Sequence, residues 1–335
     1  MNKDKLLCYA GQMVAASPEG AMTDLKLNRL IEENQIGGVL LFRRSCPDSD
    51  SVRALVEAMQ RRAKIPLLVM IDQEGGRVMR LMEDMFALPP ARELSKQTLE
   101  QVENDTRLLG KRLIELGINC NLAPVLDVDS NLQNPVIGDR SFGDNVDTVF
   151  EYAKAYRKGL NTSGVIACGK HFPGHGDTDQ DSHLTLPVVR HSEERLYNLE
   201  IEPFKRAVDD GFEMIMVAHV LYESLDLDEP ATLSQKISTG ILREKLGFKG
   251  VTIADDLEMK AIAERYPVKE LVYKLINAGM DILPVCHSYE LAFYVHRSIV
   301  TLVEDGSIEL DRIKDSYDRI MQMKRLFKLS QDTLI

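Results

Sequence analysis

The chain contains no tryptophan, so any aromatic surface for a ligand must come from phenylalanine, tyrosine or histidine. Cysteine is also scarce: the five thiols are scattered, odd in number and without a CxxC pair, which argues against a disulfide framework and a structural zinc site. We therefore predict reduced cysteines, no metal and no other cofactor. The five are Cys8, Cys46, Cys120, Cys168 and Cys286.

Positive charge is limited as well. Lysine and arginine number 41 against 52 aspartates and glutamates, which gives a net charge of -11. Nucleic acids and anionic membranes require a basic surface, so we predict neither as a partner. No apolar run reaches the length of a membrane span. The first 16 residues superficially resemble a signal peptide, but Tyr9 and Gln12 interrupt the short apolar run, and we interpret it as a buried strand of a cytoplasmic protein.

Linkers rich in proline, glycine or serine, low-complexity tracts and breaks in composition are absent. With 44% hydrophobic and 28% charged residues, the composition is that of an ordinary globular protein. We predict a single domain over residues 1–335. The sequence does not determine the oligomeric state, and a monomer is compatible with it.

One pattern recurs along the chain: an amphipathic helical segment ends in glycine, and a short apolar run follows. These runs are too continuously apolar for half-exposed strands, so we predict buried parallel strands. Including the N-terminal run there are eight: 9–16, 37–42, 66–72, 118–128, 165–172, 212–220, 251–256 and 280–286. Eight strands alternating with helices predict a (β/α)8 TIM-type barrel with a C-terminal helix at 310–328; a doubly wound open sheet is the alternative.

Polar residues close most of these apolar runs. In a (β/α)8 barrel the carboxyl ends of the strands meet at one face, where ligands bind. A single such residue is most simply a helix cap or a loop ion pair, but the whole set predicts an active site. Its members are Asp72, Asp127, Lys170, His171, His219, Asp255 and Asp256.

The stretch KHFPGHGDTDQDSH at 170–183 holds three of the seven histidines. His171 and His175 have the spacing of two zinc ligands on a helix, but Pro173 and Gly174 work against a helix there. Asp181-Ser182-His183 instead places a carboxylate two residues from an imidazole, an arrangement suited to general acid/base catalysis. An incidental contact in a surface loop is the alternative.

These residues resemble the signature of glycoside hydrolase family 3, in its β-N-acetylglucosaminidase branch. Four further blocks resemble the family in the same order: IDQEGGRVMRL at 71–81, APVLDV at 123–128, DRSFG at 139–143 and IADDLEM at 253–259. The resemblance runs from GGVLLF to the final strand. It implies a retaining exo-glycosidase that hydrolyses terminal β-linked N-acetylglucosamine. It also implies a cytoplasmic enzyme that acts on cell-wall fragments in peptidoglycan recycling.

The resemblance also implies roles for individual residues. Asp255 matches the nucleophile, and Asp181 with His183 matches the acid/base dyad. Neighbouring strand residues point to opposite faces, so we expect only one of Asp255 and its rival Asp256 to face the substrate. The positions that match sugar-binding residues are Asp72, Arg80, Arg140, Lys170 and His171.

The same stretch raises expectations about a mobile loop. We expect His175 and the residues from Asp177 to Asp179 to shape the loop, and its glycines to let it close over the sugar. Without ligand, His183 should lie away from Asp255. Three alternatives stay open: a phosphorylase that uses the same site, a sugar-binding barrel without turnover, and a metal-dependent hydrolase.

Overall fold

The computed structural model describes residues 3–83, 87–178 and 186–329. Within these ranges, eight parallel strands form a nearly closed barrel, in the order β10-β1-β2-β3-β4-β5-β7-β9. Two further short strands, β6 and β8, pair beside it. The strands are β1 Val14–Ala16, β2 Gly38–Leu41, β3 Leu68–Ile71, β4 Cys120–Asn121, β5 Ile166–Phe172, β6 Val188–Val189, β7 Met214–Val217, β8 Leu221–Tyr222, β9 Val251–Ala254 and β10 Leu283–Val285.

The two strands at the ends of this order, β10 and β9, approach each other and close the barrel. The amide of Ala254 donates to the carbonyl of Ile282 at 3.0 Å, and Ile253 forms a parallel bridge with Ile282. All residues of β2, β3, β7 and β9 are buried, because helices cover the outside and side chains fill the inside. The predicted barrel is confirmed, and the open sheet is not formed.

Helices alternate with the strands and cover the barrel. Helix α5 packs on α6, and α10 packs on α11. The predicted glycine stops are present: Gly117, Gly164, Gly211, Gly247 and Gly279 all have positive φ angles. The helices are α1 Lys3–Gln12, α2 Leu25–Glu32, α3 Ser49–Gln60, α4 Ala91–Leu94, α5 Leu99–Glu115, α6 Val146–Thr162, α7 Glu193–Arg195, α8 Glu202–Asp209, α9 Lys260–Ala263, α10 Val268–Ala278, α11 Tyr289–Glu304 and α12 Leu310–Leu326.

The predicted C-terminal helix is α12, and it packs outside the barrel against α1 and β9. Arg319 Nη2 donates to Asp281 Oδ1 at 2.8 Å, just before β10. Lys324 Nζ donates to the carbonyl of Gly37 at 2.9 Å, just before β2. Helix α12 therefore covers the end of the barrel where the strands begin.

Three local predictions differ from the structure. The apolar run from Tyr9 is not one strand: its first half belongs to α1, whose Leu6 and Ala10 are buried at helical spacing, and β1 begins at Val14. The helical pattern of residues 192–211 predicts one helix, but a π-helical segment, Leu196–Glu200, divides it. The short pair β6–β8 has no counterpart in the prediction, since strands of two residues carry too little pattern. That residues 1–335 form one domain stays a prediction.

No helix in the described ranges is long and apolar enough to cross a membrane.

Candidate active site

A cavity of about 300 Å³ opens at the carboxyl ends of the barrel strands. Residues that follow or end β2, β3, β5, β9 and β10 line it, as expected for the catalytic face of this fold. The predicted sugar-binding residues all line this cavity, and so do Asp255 and Asp256. The predicted residues brought together are Asp72, Arg80, Arg140, Lys170, His171, Asp255 and Asp256.

Asp72 follows β3 directly and is held by two cations. Lys170 Nζ donates to Oδ1 at 2.8 Å, and Arg80 Nη2 donates to Oδ2 at 3.0 Å. Burial raises the pKa of Asp72, but the charges of Lys170 and Arg80 outweigh burial and hold the pKa below its usual value. Asp72 is therefore an ionised acceptor at the cavity wall, which suits binding of sugar hydroxyl groups.

Glu74 pairs with Arg140 and shares Lys170 with Asp72, and sequence reasoning did not identify it. Arg140 grips its carboxylate with both Nε and Nη2, at 2.9 and 2.8 Å, and Lys170 Nζ lies 2.5 Å from Oε1. Burial opposes ionisation, but Arg140 and Lys170 outweigh it and lower the pKa of Glu74 strongly. The signal was present in the quoted IDQEGGR block, yet the role depends on Arg140, which lies far away in the chain.

His171 is the last but one residue of β5, and Asp127 orients its ring. Its Nδ1 lies 2.7 Å from Asp127 Oδ2, and its backbone amide donates to Asp127 Oδ1 at 3.1 Å. The peptide bond between Lys170 and His171 is cis, and both side chains line the cavity. With Nδ1 bound to Asp127, Nε2 is the ring nitrogen 3.5 Å from Arg140 Nη2. The ring is thus fixed by the carboxylate behind it.

His175 lies in the wall of the cavity, and its predicted role in shaping the loop stays a prediction. Its side chain is buried, its Nδ1 lies 2.8 Å from Thr178 Oγ1, and its amide donates to Asp127 Oδ1 at 2.7 Å. Burial, followed by the nearby His171, lowers the pKa of His175 to about 4. His175 is therefore neutral at physiological pH and packs the wall of the cavity.

His219, another polar residue at a strand end, does not line the cavity. It is completely buried, with Nδ1 at 2.7 Å from Thr232 Oγ1 and Nε2 at 3.1 Å from the carbonyl oxygen of Asp256. Its contacts support the backbone beside Asp255. Several of the polar strand ends converge on the cavity, but His219 is not one of them.

Asp255 and Asp256 both line the cavity, and the expectation that only one of them faces the substrate stays a prediction. The alternation of strand side chains does not apply, because β9 ends at Ala254. Asp255 Oδ1 accepts the amide of Asp256 at 2.9 Å. Burial, together with the charges of Glu258 and Asp255, raises the pKa of Asp256 to about 6, although the amide of Glu258 lowers it.

The cavity lining also contains two aromatic rings, those of Phe42 and His287. Phe42, which follows β2, lies 5.9 Å from the ring of His287, which follows β10. The guanidinium of Arg44 lies 4.9 Å from the Phe42 centroid, and that of Arg80 lies 5.2 Å from it. In a chain without tryptophan, Phe42 and His287 provide the ring surface against which a sugar or its substituent can pack.

The predicted acid/base dyad, Asp181 and His183, lies outside the described residues, and so does the predicted separation of His183 from Asp255. No group of three or more metal-ligating side chains occurs in the ranges 3–83, 87–178 and 186–329. The described part of the cavity contains carboxylates, cationic donors and an oriented imidazole. Such a set of groups can bind a ligand with many hydroxyl groups.

Residues 10–323 match the glycosyl hydrolase family 3 N-terminal domain. β-Hexosaminidase A of Pseudoalteromonas piscicida is 36% identical in an alignment of 360 positions that covers 97% of this chain and 60% of that protein. β-Hexosaminidase of Glaesserella parasuis is 38% identical and covers 77% of this chain, with 76% of its own length aligned.

Solved structures agree. A glycoside hydrolase family 3 β-N-acetylglucosaminidase from Paenibacillus sp. superposes with a TM-score of 0.94 at 37% identity, over 98% of this chain and 64% of that one. A β-N-acetylhexosaminidase from Beutenbergia cavernae superposes with a TM-score of 0.90 at 28% identity, over 96% of this chain and 98% of that one. The chain belongs to glycosyl hydrolase family 3. It spans about three fifths of the length of the Pseudoalteromonas protein.

Proposed function

We propose that this chain is a retaining exo-β-N-acetylglucosaminidase that removes terminal β-linked N-acetylglucosamine. One observation carries the proposal: Asp255 lines the same cavity as the cluster of Asp72, Lys170 and Arg80. A cavity of about 300 Å³ suits one sugar ring better than a chain of rings. The names of the relatives, β-hexosaminidase and β-N-acetylglucosaminidase, support an acetamido sugar as the substrate.

In the first proposed step, Asp255 attacks the anomeric carbon and forms a covalent glycosyl-enzyme. The bond from that carbon to the aglycone oxygen breaks, and the oxygen receives a proton from His183, which Asp181 orients. The resemblance of residues 170–183 to the family signature supports these acid/base roles. Asp255 is suited to attack because its position after β9 places it at the catalytic face of the barrel.

In the second proposed step, water hydrolyses the glycosyl ester. His183, now deprotonated, accepts a proton from the water, and the released oxygen of Asp255 takes back its charge. Two displacements at one carbon give a product with the β configuration of the substrate. Product analysis by proton NMR immediately after mixing reports this configuration before the sugar equilibrates.

The cation-carboxylate clusters would hold the non-reacting hydroxyl groups of the sugar. Asp72 is an acceptor fixed by Lys170 and Arg80, and Arg80 Nε is buried without a hydrogen-bond partner among the described residues. Groups that are already oriented lose little conformational entropy when the sugar binds. The sugar therefore meets a preformed arrangement of donors and acceptors.

For the natural substrate we propose an N-acetylglucosaminyl-anhydromuramic acid fragment of cell wall, cleaved in the cytoplasm. The resemblance to the bacterial β-N-acetylglucosaminidase branch supports both parts. Incubation of the protein with this disaccharide, followed by mass spectrometry, should release free N-acetylglucosamine. Fractionation of the producing cells should find the protein with cytoplasmic markers.

The activity is tested with para-nitrophenyl β-N-acetylglucosaminide, whose nitrophenolate is followed by absorbance. The Asp255→Asn variant should lose at least about 1,000-fold in kcat, because it lacks the nucleophile. The Asp256→Asn variant is the matched comparison, and it should keep more activity than Asp255→Asn. The para-nitrophenyl β-glucoside should be cleaved far more slowly by the unchanged protein.

Two outcomes would contradict the proposal. Full turnover by Asp255→Asn would remove Asp255 as the nucleophile, and loss only in Asp256→Asn would transfer that role to its neighbour. If the protein turned over neither the acetamido sugar nor the glucoside, hydrolysis of simple substrates would be contradicted. A repeat with phosphate then separates a phosphorylase, which would release the sugar 1-phosphate.

A further inference from the structure

The segment that carries Asp181 and His183 lies between two parts of the chain that are fixed in different ways. We call residues 174–178 the first stem and residues 186–191 the second stem. Both belong to the described part of the chain, whereas residues 179–185 do not.

The first stem is held by hydrogen bonds and by close packing. Tyr222 donates its hydroxyl to the carbonyl of Gly174 at 2.6 Å, and Asn134 Nδ2 donates to the carbonyl of His175 at 2.9 Å. A Cβ atom on Gly174 would lie 2.7 Å from Cβ of Glu200, and one on Gly176 would lie 1.7 Å from the carbonyl oxygen of Val128. These glycines therefore permit close contact with neighbouring backbone.

The second stem is held by the short parallel pair β6–β8. The amide of Leu221 donates to the carbonyl of Pro187 at 3.0 Å, and the amide of Glu223 donates to that of Val189 at 3.1 Å. Val189 is buried, so the pair is also packed against the rest of the protein. Both stems are thus attached to β8, the first through the Tyr222 side chain and the second through its backbone, and Asn134 also attaches the first stem to the loop after β4.

A cluster of side chains joins the two stems. His191 Nε2 at the end of the second stem is in direct contact with Asp177 Oδ2 of the first. Arg195 Nη2 lies 3.6 Å from the same oxygen and 3.3 Å from Oε1 of the buried Glu200. The side chain of Asp177 is only 15% exposed, so this contact is partly screened from water.

We propose that Asp177, His191 and Arg195 form a clamp that positions the acid/base segment for proton transfer. The inference rests on the proposed function, in which His183 is the acid/base. A general acid must come within hydrogen-bond reach of the leaving oxygen, and a displacement of about 1 Å can cost on the order of 100-fold in rate. Tying the two stems together restricts where the short segment between them can lie. These three are positioning residues, because nothing places them against the sugar.

The clamp is tested with two substrates that differ only in their need for a proton. Phenyl β-N-acetylglucosaminide has a poor leaving group that requires acid assistance, whereas the 2,4-dinitrophenyl analogue leaves without it. The quantity compared is kcat/KM, which reports the first chemical step. In Asp177→Ala and His191→Ala, kcat/KM should fall at least about 30-fold for the phenyl substrate and less than about 3-fold for the dinitrophenyl substrate.

Two further measurements separate positioning from damage to the fold. His191→Gln keeps a donor for Asp177 and should restore most of the lost kcat/KM on the phenyl substrate. Azide, a nucleophile that needs no base, should raise kcat of Asp177→Ala on the dinitrophenyl substrate. Glu223→Gln is the matched control, because its exposed pair with Arg190 at 3.1 Å lies on the second stem outside the clamp, and it should behave as the unchanged protein.

Equal losses on both substrates, or no loss on either, would overturn the clamp. Failure of the proposed function has a different appearance: the unchanged protein would then cleave neither substrate, or Asp255→Asn would cleave both. If the parent protein cleaves both substrates and Asp177→Ala loses the same factor in kcat/KM on each, only the clamp is contradicted.

Discussion

The two ends of this barrel each carry a cluster of buried charges, but only one cluster faces a cavity. At the strand carboxyl ends, Asp72 and Glu74 pair with Arg80, Arg140 and Lys170 around a space of about 300 Å³. At the other end, Asp281 is completely buried under α12. It accepts Arg243 Nη2 at 2.7 Å, Ser316 Oγ at 2.6 Å and Arg319 Nη2 at 2.8 Å.

The comparison separates the structural use of buried charge from the functional use. Burial raises the pKa of both Asp72 and Asp281, and neighbouring cations lower both pKa values below normal. A lowered pKa therefore does not identify an active site by itself. What distinguishes Asp72 is access: its partners line a cavity that can receive a ligand, whereas the partners of Asp281 join α12 to the base of the barrel. Substitutions at the two ends should therefore affect different measurements.

The largest effect is expected at the base. Asp281→Asn removes the charge that pairs with Arg243 and Arg319, and leaving buried cations without a partner should cost about 3–5 kcal/mol in the free energy of unfolding. Urea denaturation measures this loss. The matched control is Asp305→Asn, which removes an exposed carboxylate paired with Lys269 at 2.8 Å and should cause no comparable loss. A stable Asp281→Asn protein would contradict the structural role of the base cluster.

At the cavity, Asp72→Asn should act mainly on turnover. Loss of the acceptor for sugar hydroxyl groups should lower kcat/KM for the para-nitrophenyl substrate by about 100-fold or more, equivalent to about 3 kcal/mol of transition-state binding. Stability should fall less than in Asp281→Asn, because Lys170 keeps Glu74 as a partner. A large fall in stability with kcat/KM unchanged would show that the two clusters have the same role.

The free energy of unfolding should depend on pH through Lys324, another buried residue of α12. Burial lowers the pKa of Lys324 to about 7, well below its usual 10.5. Between pH 7 and pH 10, Lys324 is therefore protonated more fully in the unfolded chain than in the folded protein. The free energy of unfolding should rise with pH over this range. Lys324→Met should remove this dependence.

The measurement is the free energy of unfolding of both proteins at pH 6 and pH 9. The difference between Lys324→Met and the parent should change by about 2–3 kcal/mol across this range. The methionine also deprives Gln12 and Gly37 of a donor, but that cost does not vary with pH and cancels in the comparison. Parallel pH curves would contradict a shifted pKa for Lys324.

The smallest effect is expected at the rim of the cavity. Arg77 and Asp139 form a pair at 3.0 Å in which both side chains are about half exposed. Exposed pairs contribute little, and Arg77 Nη2 also donates to the carbonyls of Val136 and Ile137. Asp139→Asn should change kcat/KM less than about threefold. A loss as large as that in Asp72→Asn would extend the functional cluster to the rim.

Much of the fold could be predicted because buried parallel strands leave a clear pattern. VTIADD and PLLVMID are continuously apolar up to the residue where the strand ends, and glycines such as Gly117 stop the helices in a left-handed conformation. The N-terminal run was ambiguous, since Leu6 and Ala10 follow helical spacing while Val14–Ala16 form the strand. Two-residue strands such as β6 contain too few side chains for a period to be visible.

Less of the candidate site could be predicted from spacing alone. Asp72, Lys170 and His171 were identified because they end apolar strands, but Arg80 and Arg140 were identified only from the family resemblance. Glu74 escaped, because a carboxylate in a loop has no distinctive pattern until its partners are known. The close packing that Gly174 and Gly176 permit was not foreseen, and the mobility expected from the loop glycines stays a prediction. Such contacts depend on segments far apart in the chain.

The most direct test of the central claim is to identify the residue that carries the sugar. A 5-fluoro analogue of N-acetylglucosamine with an activated leaving group slows both steps and should accumulate the glycosyl-enzyme. We predict an increase in protein mass by one fluorosugar, located by peptide mapping on Asp255 and absent in Asp255→Asn. A label on another residue, or hydrolysis with an α-configured first product and no label, would contradict the account.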